Sequence, residues 1–341
     1  MATTPLVIFC DADEHTSSYL SQHQIKNEAN CIIFSKCLND VAEETLQQFA
    51  SAEVISTFVY SNLSANVLKN FKNLKLITAR STGYNNIDLN YCREQGIMVA
   101  NVAGYGEITV AEYAMGMLLN LTRKIEYANN KLRNGIVKVE DDIGIDLYGK
   151  TTGVIGTGVV GSYFARLCRA FGCNVIASDP FPNQQLIDGG ICKYVDMPTL
   201  LKESDIVALN CPATSSNYHF INADTIAQMK DGVYIINIAR GELINPMALY
   251  EAVISGKVKG AGLDVLDYEN VLIKNDIESA KNNDKNSALY SLINTKLLQL
   301  PNVIITPHIA FNSKDAILKI LQTNVQIILD FIGGKPIKSV I

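Results

Sequence analysis

Residues 151–167 read TTGVIGTGVVGSYFARL. A short β-type run gives way to Gly156-x-Gly158-x-x-Gly161 and then to apolar residues at helical spacing. Strand, glycine turn and helix in that order form the context in which such glycines bind a pyrophosphate. Gly156 permits the tight turn, Gly158 lets backbone approach the phosphates, and Gly161 lets helix and strand pack closely. Exposed amides around Thr157, Val159 and Val160, at the helix start, would hold the negative charge. The next strand, NVIASD, ends on Asp179, 18 residues past Gly161. A carboxylate there accepts hydrogen bonds from an adenosine ribose and repels a 2′-phosphate. Pro180 and Phe181 follow instead of an arginine, so NAD is expected over NADP. The competing reading is a glycine turn that merely packs, with Asp179 a solvated strand end.

Outward from this loop, short β-rich runs alternate with helical patterns in both directions, the mark of parallel α/β architecture. Upstream lie LVIFC, CIIF, VISTFVY, LKLITA and IMVANV; downstream lie CNVIASDP, ICKYV, IVALNCP, VYIINIAR and GAGLDVLD. A chain of 341 residues exceeds one small core. The two series therefore predict an α/β protein with two doubly wound parallel sheets (Rossmann/flavodoxin-like) separated by a cleft. The expected division is 1–104 for a substrate domain, 105–304 for the NAD-binding domain, and 305–341 for a return to the first. One long helix is expected from Thr109, as its N-cap, to about Arg133. The polar stretch 270–299 reads as a surface excursion with one helical turn or more around ALYSLI, and no chemistry is assigned to it.

The formal net charge is −5 with no basic cluster, which argues against a nucleic-acid partner. No apolar stretch reaches membrane-spanning length, and the acidic start MATTPLVIFCDADEH lacks a signal peptide's basic region. The eight cysteines form no CxxC pair, so free thiols in a reducing, cytoplasmic compartment are expected, with no metal site.

Three strand ends in the second half carry charge. YIINIAR stops on Arg240, GAGLDVLDYE carries Asp264 and Glu269, and VIITPH ends on His308. In open α/β sheets the ligand crevice lies outside the carboxyl ends of the strands. Arg240 offers a planar fork for a carboxylate. Glu269 beside His308 would favour the imidazolium and fix its tautomer. His308 could then give its proton to a carbonyl oxygen as nicotinamide delivers hydride, or take it back in reverse. Set among apolar residues, His308 is expected to be kept dry; the bland alternative is an ordinary core histidine. Asp264 is either structural or orients the nicotinamide carboxamide.

The motifs RSTGYNNIDL (80–89), NVAGYGEITVAEYA (101–114), GKTTGVIGTGVVG (149–161), NIARGEL (237–243), GLDVLDYE (262–269) and NVIITPHIAF (302–311) resemble those of the D-2-hydroxyacid dehydrogenases over essentially the whole chain. The resemblance implies NAD as cofactor, a homodimer, and a small 2-oxo or 2-hydroxy acid as substrate. It carries over Arg240, Glu269 and His308 as substrate anchor, pKa partner and acid–base, and places Cys211, Pro212, Ala239 and Asp264 along the cofactor. Within the family the chain is most similar to the D-lactate dehydrogenase branch, which implies reduction of pyruvate to D-lactate. Tyr105 and the amides of Thr82 and Gly83 would then contact substrate, while Tyr60 and Phe311 would leave room for little more than a methyl group. Other members act on glyoxylate, hydroxypyruvate, phosphoglycerate or branched 2-oxo acids, and some related proteins are NAD-sensing corepressors. Two residues depart from the family pattern: Cys211 where Val is usual, and Ala103 where Pro is common.

Overall fold

A computed structural model describes residues 4–23, 25–137, 143–269 and 285–341. The chain divides into two compact units, one made of Met1–Tyr105 with Ser313–Ile341, the other of Gly106–Asn312. The chain re-enters the first unit at Ser313 rather than at the expected residue 305. This leaves His308 in the central unit, because the turn that carries it is bonded to that unit's sheet.

The first unit holds five parallel strands, β1 (Leu6–Phe9), β2 (Asn30–Ile33), β3 (Val54–Thr57), β4 (Leu76–Ala79) and β5 (Met98–Asn101). Their order is β2-β1-β3-β4-β5, a doubly wound arrangement. Both faces are covered, so side chains one apart along a strand enter opposite cores. Ile8, Ile55 and Ile77 point into one; Val7, Val54 and Leu76 point into the other, where Val325 and Ile328 of the last helix, Lys314–Ile332, join them.

The central unit holds seven parallel strands, β6 (Thr151–Ile155), β7 (Asn174–Ser178), β8 (Lys193–Tyr194), β9 (Ile206–Leu209), β10 (Val233–Asn237), β11 (Val258–Leu263) and β12 (Val303–Ile305). They run in the order β12-β11-β10-β9-β6-β7-β8. Strand order reverses at β6, which pairs with both β7 and β9. That switch point is where such sheets bind ligands. Alternation again splits the strands, Ile206 and Ala208 to one core and Val207 and Leu209 to the other. Each fully buried Leu, Ile or Phe, such as Phe164, contributes about 1.5–3 kcal/mol.

The single long helix expected from Thr109 is two helices, Glu107–Arg123 and Ile125–Arg133, with Gly106 at the first N-cap. Lys124 between them lies in the left-handed region (φ 53°). The Asn120 side chain accepts from the Glu126 amide at 2.8 Å and so caps the second helix in place of continuation. The helical segment expected around ALYSLI, of one turn or more, is the helix Lys285–Leu298; the rest of that excursion, up to residue 284, lies outside the described residues.

Candidate active site

β6 ends at Ile155 and the chain turns at Gly156, whose φ of 89° a side chain would strain. A Cβ at Gly156 would stand 2.8 Å from the Asn210 and Cys211 backbone, and one at Gly161 would drive into the Gly156 carbonyl. At Gly158 a Cβ would meet nothing within 4 Å. Two glycines thus close the turn while the third leaves open space before the helix Val159–Ala170, with Gly158 and Val159 exposed at its start and Val160 half-buried. This cradle fits a pyrophosphate bound on helix-terminal amides.

Asp179 stands at the tip of β7 as expected, and it also braces the loop. Its Oδ2 accepts from the Thr157 amide at 2.6 Å and from the Thr157 hydroxyl at 3.1 Å, and its Oδ1 from the Phe181 amide at 2.8 Å. Cys211 and Pro212 follow β9, and Ala239 follows β10, on the same edge of the sheet.

The charged residues gather at the carboxyl ends of β10, β11 and β12. Arg240 follows β10, half-buried, with its Nη1 donating to the Ala239 carbonyl at 2.7 Å. His308 Nδ1 and Glu269 Oε1 are 2.9 Å apart. Nδ1 donating to that carboxylate leaves Nε2 as the working nitrogen, and Nε2 has no hydrogen-bond partner among the described residues. The hydrogen bond to Glu269 raises the His308 pKa above the ordinary histidine value; partial burial opposes this, and the Glu269 and Asp264 charges add to it. Arg240 is near enough for its positive charge to work against the protonated ring.

The His308 side chain is 45% exposed, so the expected dryness is not supplied by the residues around it in the chain. The apolar residues of VIITP belong to β12, and the chain leaves that strand before reaching His308. His308 itself takes left-handed backbone (φ 55°), a strained conformation held by its amide donating to the Asp264 carbonyl at 2.9 Å.

Asp264, for which the sequence leaves a structural role and a place along the cofactor open, has its carboxylate engaged by the chain itself. It is 1% exposed, and its carboxylate accepts from the Thr306 hydroxyl (2.6 Å), the Ile309 amide (2.9 Å) and the Ala310 amide (2.8 Å). Those bonds fold the turn that presents His308. Thr306, which bonds Asp264, went unnoticed in sequence because nothing marks it apart from any strand-end threonine. Phe311 is half-buried on the same turn, its Cβ 3.7 Å from where a Gly106 Cβ would stand.

In the first unit, Tyr60 follows β3 and is 51% exposed, while Thr82 and Gly83 follow β4. The Ser81 hydroxyl donates to the Gly83 carbonyl at 2.6 Å, and the Asn101 amide group to the Thr82 carbonyl at 2.8 Å. Tyr105 is half-buried at the end of that unit's first segment. A cavity of about 530 Å³ opens at the amino ends of β11 and β12, beside Tyr127, Lys259 and Pro301. None of the residues expected at the site lines it.

All eight cysteines are free thiols. Among the described residues there is no cluster able to hold a metal and no helix long and apolar enough to cross a membrane.

Residues 115–310 match the family described as D-isomer specific 2-hydroxyacid dehydrogenase, NAD binding domain. The D-lactate dehydrogenase of Escherichia coli (strain K12) is 37% identical over 288 residues, 84% of this chain and 85% of the relative. The D-lactate dehydrogenase from Aquifex aeolicus, solved with NAD and lactic acid, superposes with a TM-score of 0.83 at 34% identity, covering 96% of each chain. A solved D-2-hydroxyisocaproate dehydrogenase gives 0.84 at 28% identity, covering 98% of each. With the glycine cradle and the sheet order on one side and these likenesses on the other, the chain belongs to the D-isomer specific 2-hydroxyacid dehydrogenases and carries their NAD-binding domain.

Proposed function

We propose that the protein is an NAD-dependent D-lactate dehydrogenase that reduces pyruvate. The observation that carries the reading is the His308–Glu269 pair, with Nε2 unengaged among the described residues and Arg240 in the same electrostatic neighbourhood. NADH, when bound, supplies the hydride that reduces the C2 carbonyl of the oxo acid. Arg240 engages the substrate carboxylate and orients it. His308, protonated because Glu269 stabilises the imidazolium, donates from Nε2 to the carbonyl oxygen; neutral, it accepts the hydroxyl proton in the reverse direction. Glu269 keeps Nδ1 engaged so that Nε2 is the nitrogen that exchanges the proton.

The amides of Thr82 and Gly83 are assigned to the same carboxylate, Tyr105 to contact with the substrate, and Tyr60 and Phe311 to the space around its methyl group. The Gly156–Gly161 loop takes the pyrophosphate of NAD and Asp179 the adenosine ribose. The side chains of Ile125, Leu132, Ile136 and Val137 are exposed, and this apolar surface supports a homodimer. The free thiols support a reducing, cytoplasmic compartment.

The test is a spectrophotometric panel of 2-oxo acids with NADH and NADPH, with the chirality of the product determined. Pyruvate with NADH should give the highest kcat/KM and D-lactate as product. A higher value with a branched oxo acid, glyoxylate, hydroxypyruvate or phosphohydroxypyruvate reassigns the substrate. NADH binding without turnover on any of them overturns the enzyme reading.

A further inference from the structure

At the carboxyl edge of the five-stranded sheet a buried polar hub lies beneath the turn that carries Tyr60. Arg80, 2% exposed at the end of β4, donates from Nη1 to the Ser56 carbonyl (2.9 Å) and hydroxyl (3.0 Å), and from Nη2 to the carbonyls of Cys10 (2.6 Å) and Asp11 (3.1 Å). One guanidinium thereby joins the ends of β1, β3 and β4. Asp11, just past β1, is 9% exposed and takes left-handed backbone (φ 55°). Its carboxylate turns to the segment after β3 and accepts from the Phe58 amide (3.0 Å), the Ser61 amide (3.2 Å), the Thr57 hydroxyl (3.1 Å) and the Ser61 hydroxyl.

The same turn is gripped on its acceptor side. The Asn86 side chain donates to the Phe58 carbonyl at 2.9 Å and to the Ser61 carbonyl at 2.8 Å. Asn86 belongs to the segment that follows Thr82 and Gly83, and its own carbonyl accepts from the Leu63 amide at 2.7 Å. Asp11 therefore holds the turn's donors and Asn86 its acceptors. Between these anchors the turn presents two aromatic rings, Phe58 and Tyr60, in edge-to-face contact with centroids 5.3 Å apart. A carboxylate that accepts several hydrogen bonds in a buried setting fixes geometry far more tightly than apolar packing alone would.

We propose that Asp11 and Asn86 are positioning residues that set the enzyme's preference for a small 2-oxo acid, by fixing the turn that places Tyr60. The inference rests on the proposed function, in that it takes Tyr60 to border the substrate's side chain. Neither residue needs to touch substrate. Loss of either anchor lets the Phe58–Ser61 turn shift outward, and larger side chains gain admission as pyruvate loses its fit.

The experiment compares kcat/KM for pyruvate and for 4-methyl-2-oxopentanoate in the wild type and in Tyr60→Leu, Asp11→Gly, Asp11→Asn and Asn86→Ala. Glycine at position 11 removes the carboxylate while suiting the left-handed backbone, so its effect reports the anchor and not strain. Asp11→Gly and Asn86→Ala should each lower the pyruvate preference by about tenfold, mainly through KM for pyruvate, with the Kd for NADH unchanged. Asp11→Asn keeps one acceptor oxygen for the two amides and should hold most of the preference. A general loss of stability would not move the ratio of the two substrates. A shift in Tyr60→Leu with an unchanged ratio in Asn86→Ala and in any folded Asp11→Gly overturns the positioning role alone. An unchanged ratio in Tyr60→Leu as well overturns the assignment of Tyr60 to the pocket, and the inference with it.

Discussion

His219 and His308 both sit on left-handed backbone, with φ of 50° and 55°, and both hold a carboxylate, Asp267 at 2.8 Å and Glu269 at 2.9 Å. They differ in what the rest of the ring does. His219 is 13% exposed, lies stacked on Tyr218 with centroids 3.9 Å apart, and has its Nδ1 3.2 Å from the Asn245 side-chain nitrogen. Its partner Asp267, 7% exposed, also accepts from the Tyr218 hydroxyl at 3.1 Å. Both ring nitrogens are engaged, so the ring has no site left for a proton exchanged with a ligand. His308 engages one ring nitrogen, and the other has no hydrogen-bond partner among the described residues. A histidine–carboxylate pair therefore does not by itself mark an acid–base group; the unengaged second nitrogen does.

This contrast breaks if the two histidines respond alike to substitution. His308→Gln should lower kcat by about two to four orders of magnitude with NADH affinity retained, while His219→Gln keeps kcat within about tenfold. Steady-state kinetics and NADH fluorescence titration check both. Arg240→Lys should raise KM for the oxo acid by about ten- to a hundredfold and leave NADH binding unchanged, because an ammonium cannot reproduce the bidentate fork. A kcat loss without a KM change would assign Arg240 to the chemistry around His308 instead.

His219→Ala should cost about 1–3 kcal/mol of stability, since it removes one hydrogen-bond partner from the Asp267 carboxylate and one from the Asn245 side chain. Chemical denaturation measures it, and a stability within error of wild type would show the His219 cluster to be slack.

The smallest effect is a movement along the pH axis. Glu269 raises the His308 pKa, so on the proposed mechanism pyruvate reduction should hold below that raised value and fall as pH climbs through it. Glu269→Gln removes the largest cause of the shift. Its alkaline limb in kcat/KM should move to lower pH, and oxidation of D-lactate should gain at the same pH. A limb that stays in place assigns the titration to another group.

Local signals carried the phosphate loop into view: strand, glycines and helix are contiguous, and Gly156 and Gly161 fail with any side chain whatever the rest of the chain does. Arg240, Glu269 and His308 were legible because each stands at or just past the end of an apolar strand, and parallel strands bring their carboxyl ends to one edge. What the sequence hid is what depends on distant partners. The inward-facing carboxylate of Asp264 is defined by residues 42 to 46 positions later. Arg80 reaches Asp11 and Cys10 across 69 and 70 positions. The break at Lys124 came from competition, in which a side-chain cap from Asn120 won over continuing apolar periodicity. The exposure of His308 escaped for a related reason, since apolar neighbours in a strand cover the sheet rather than the residue that follows it.

β12 is an edge strand of only three residues, with Pro301 before it and Pro307 after it. An open sheet margin invites strands from other molecules, and brevity and flanking prolines, which lack a backbone donor, deny them a template. The segment that delivers the imidazole thus also guards this margin against intermolecular sheet growth. Lengthening it, for instance by replacing Pro307, would expose the protein to aggregation as well as displace His308.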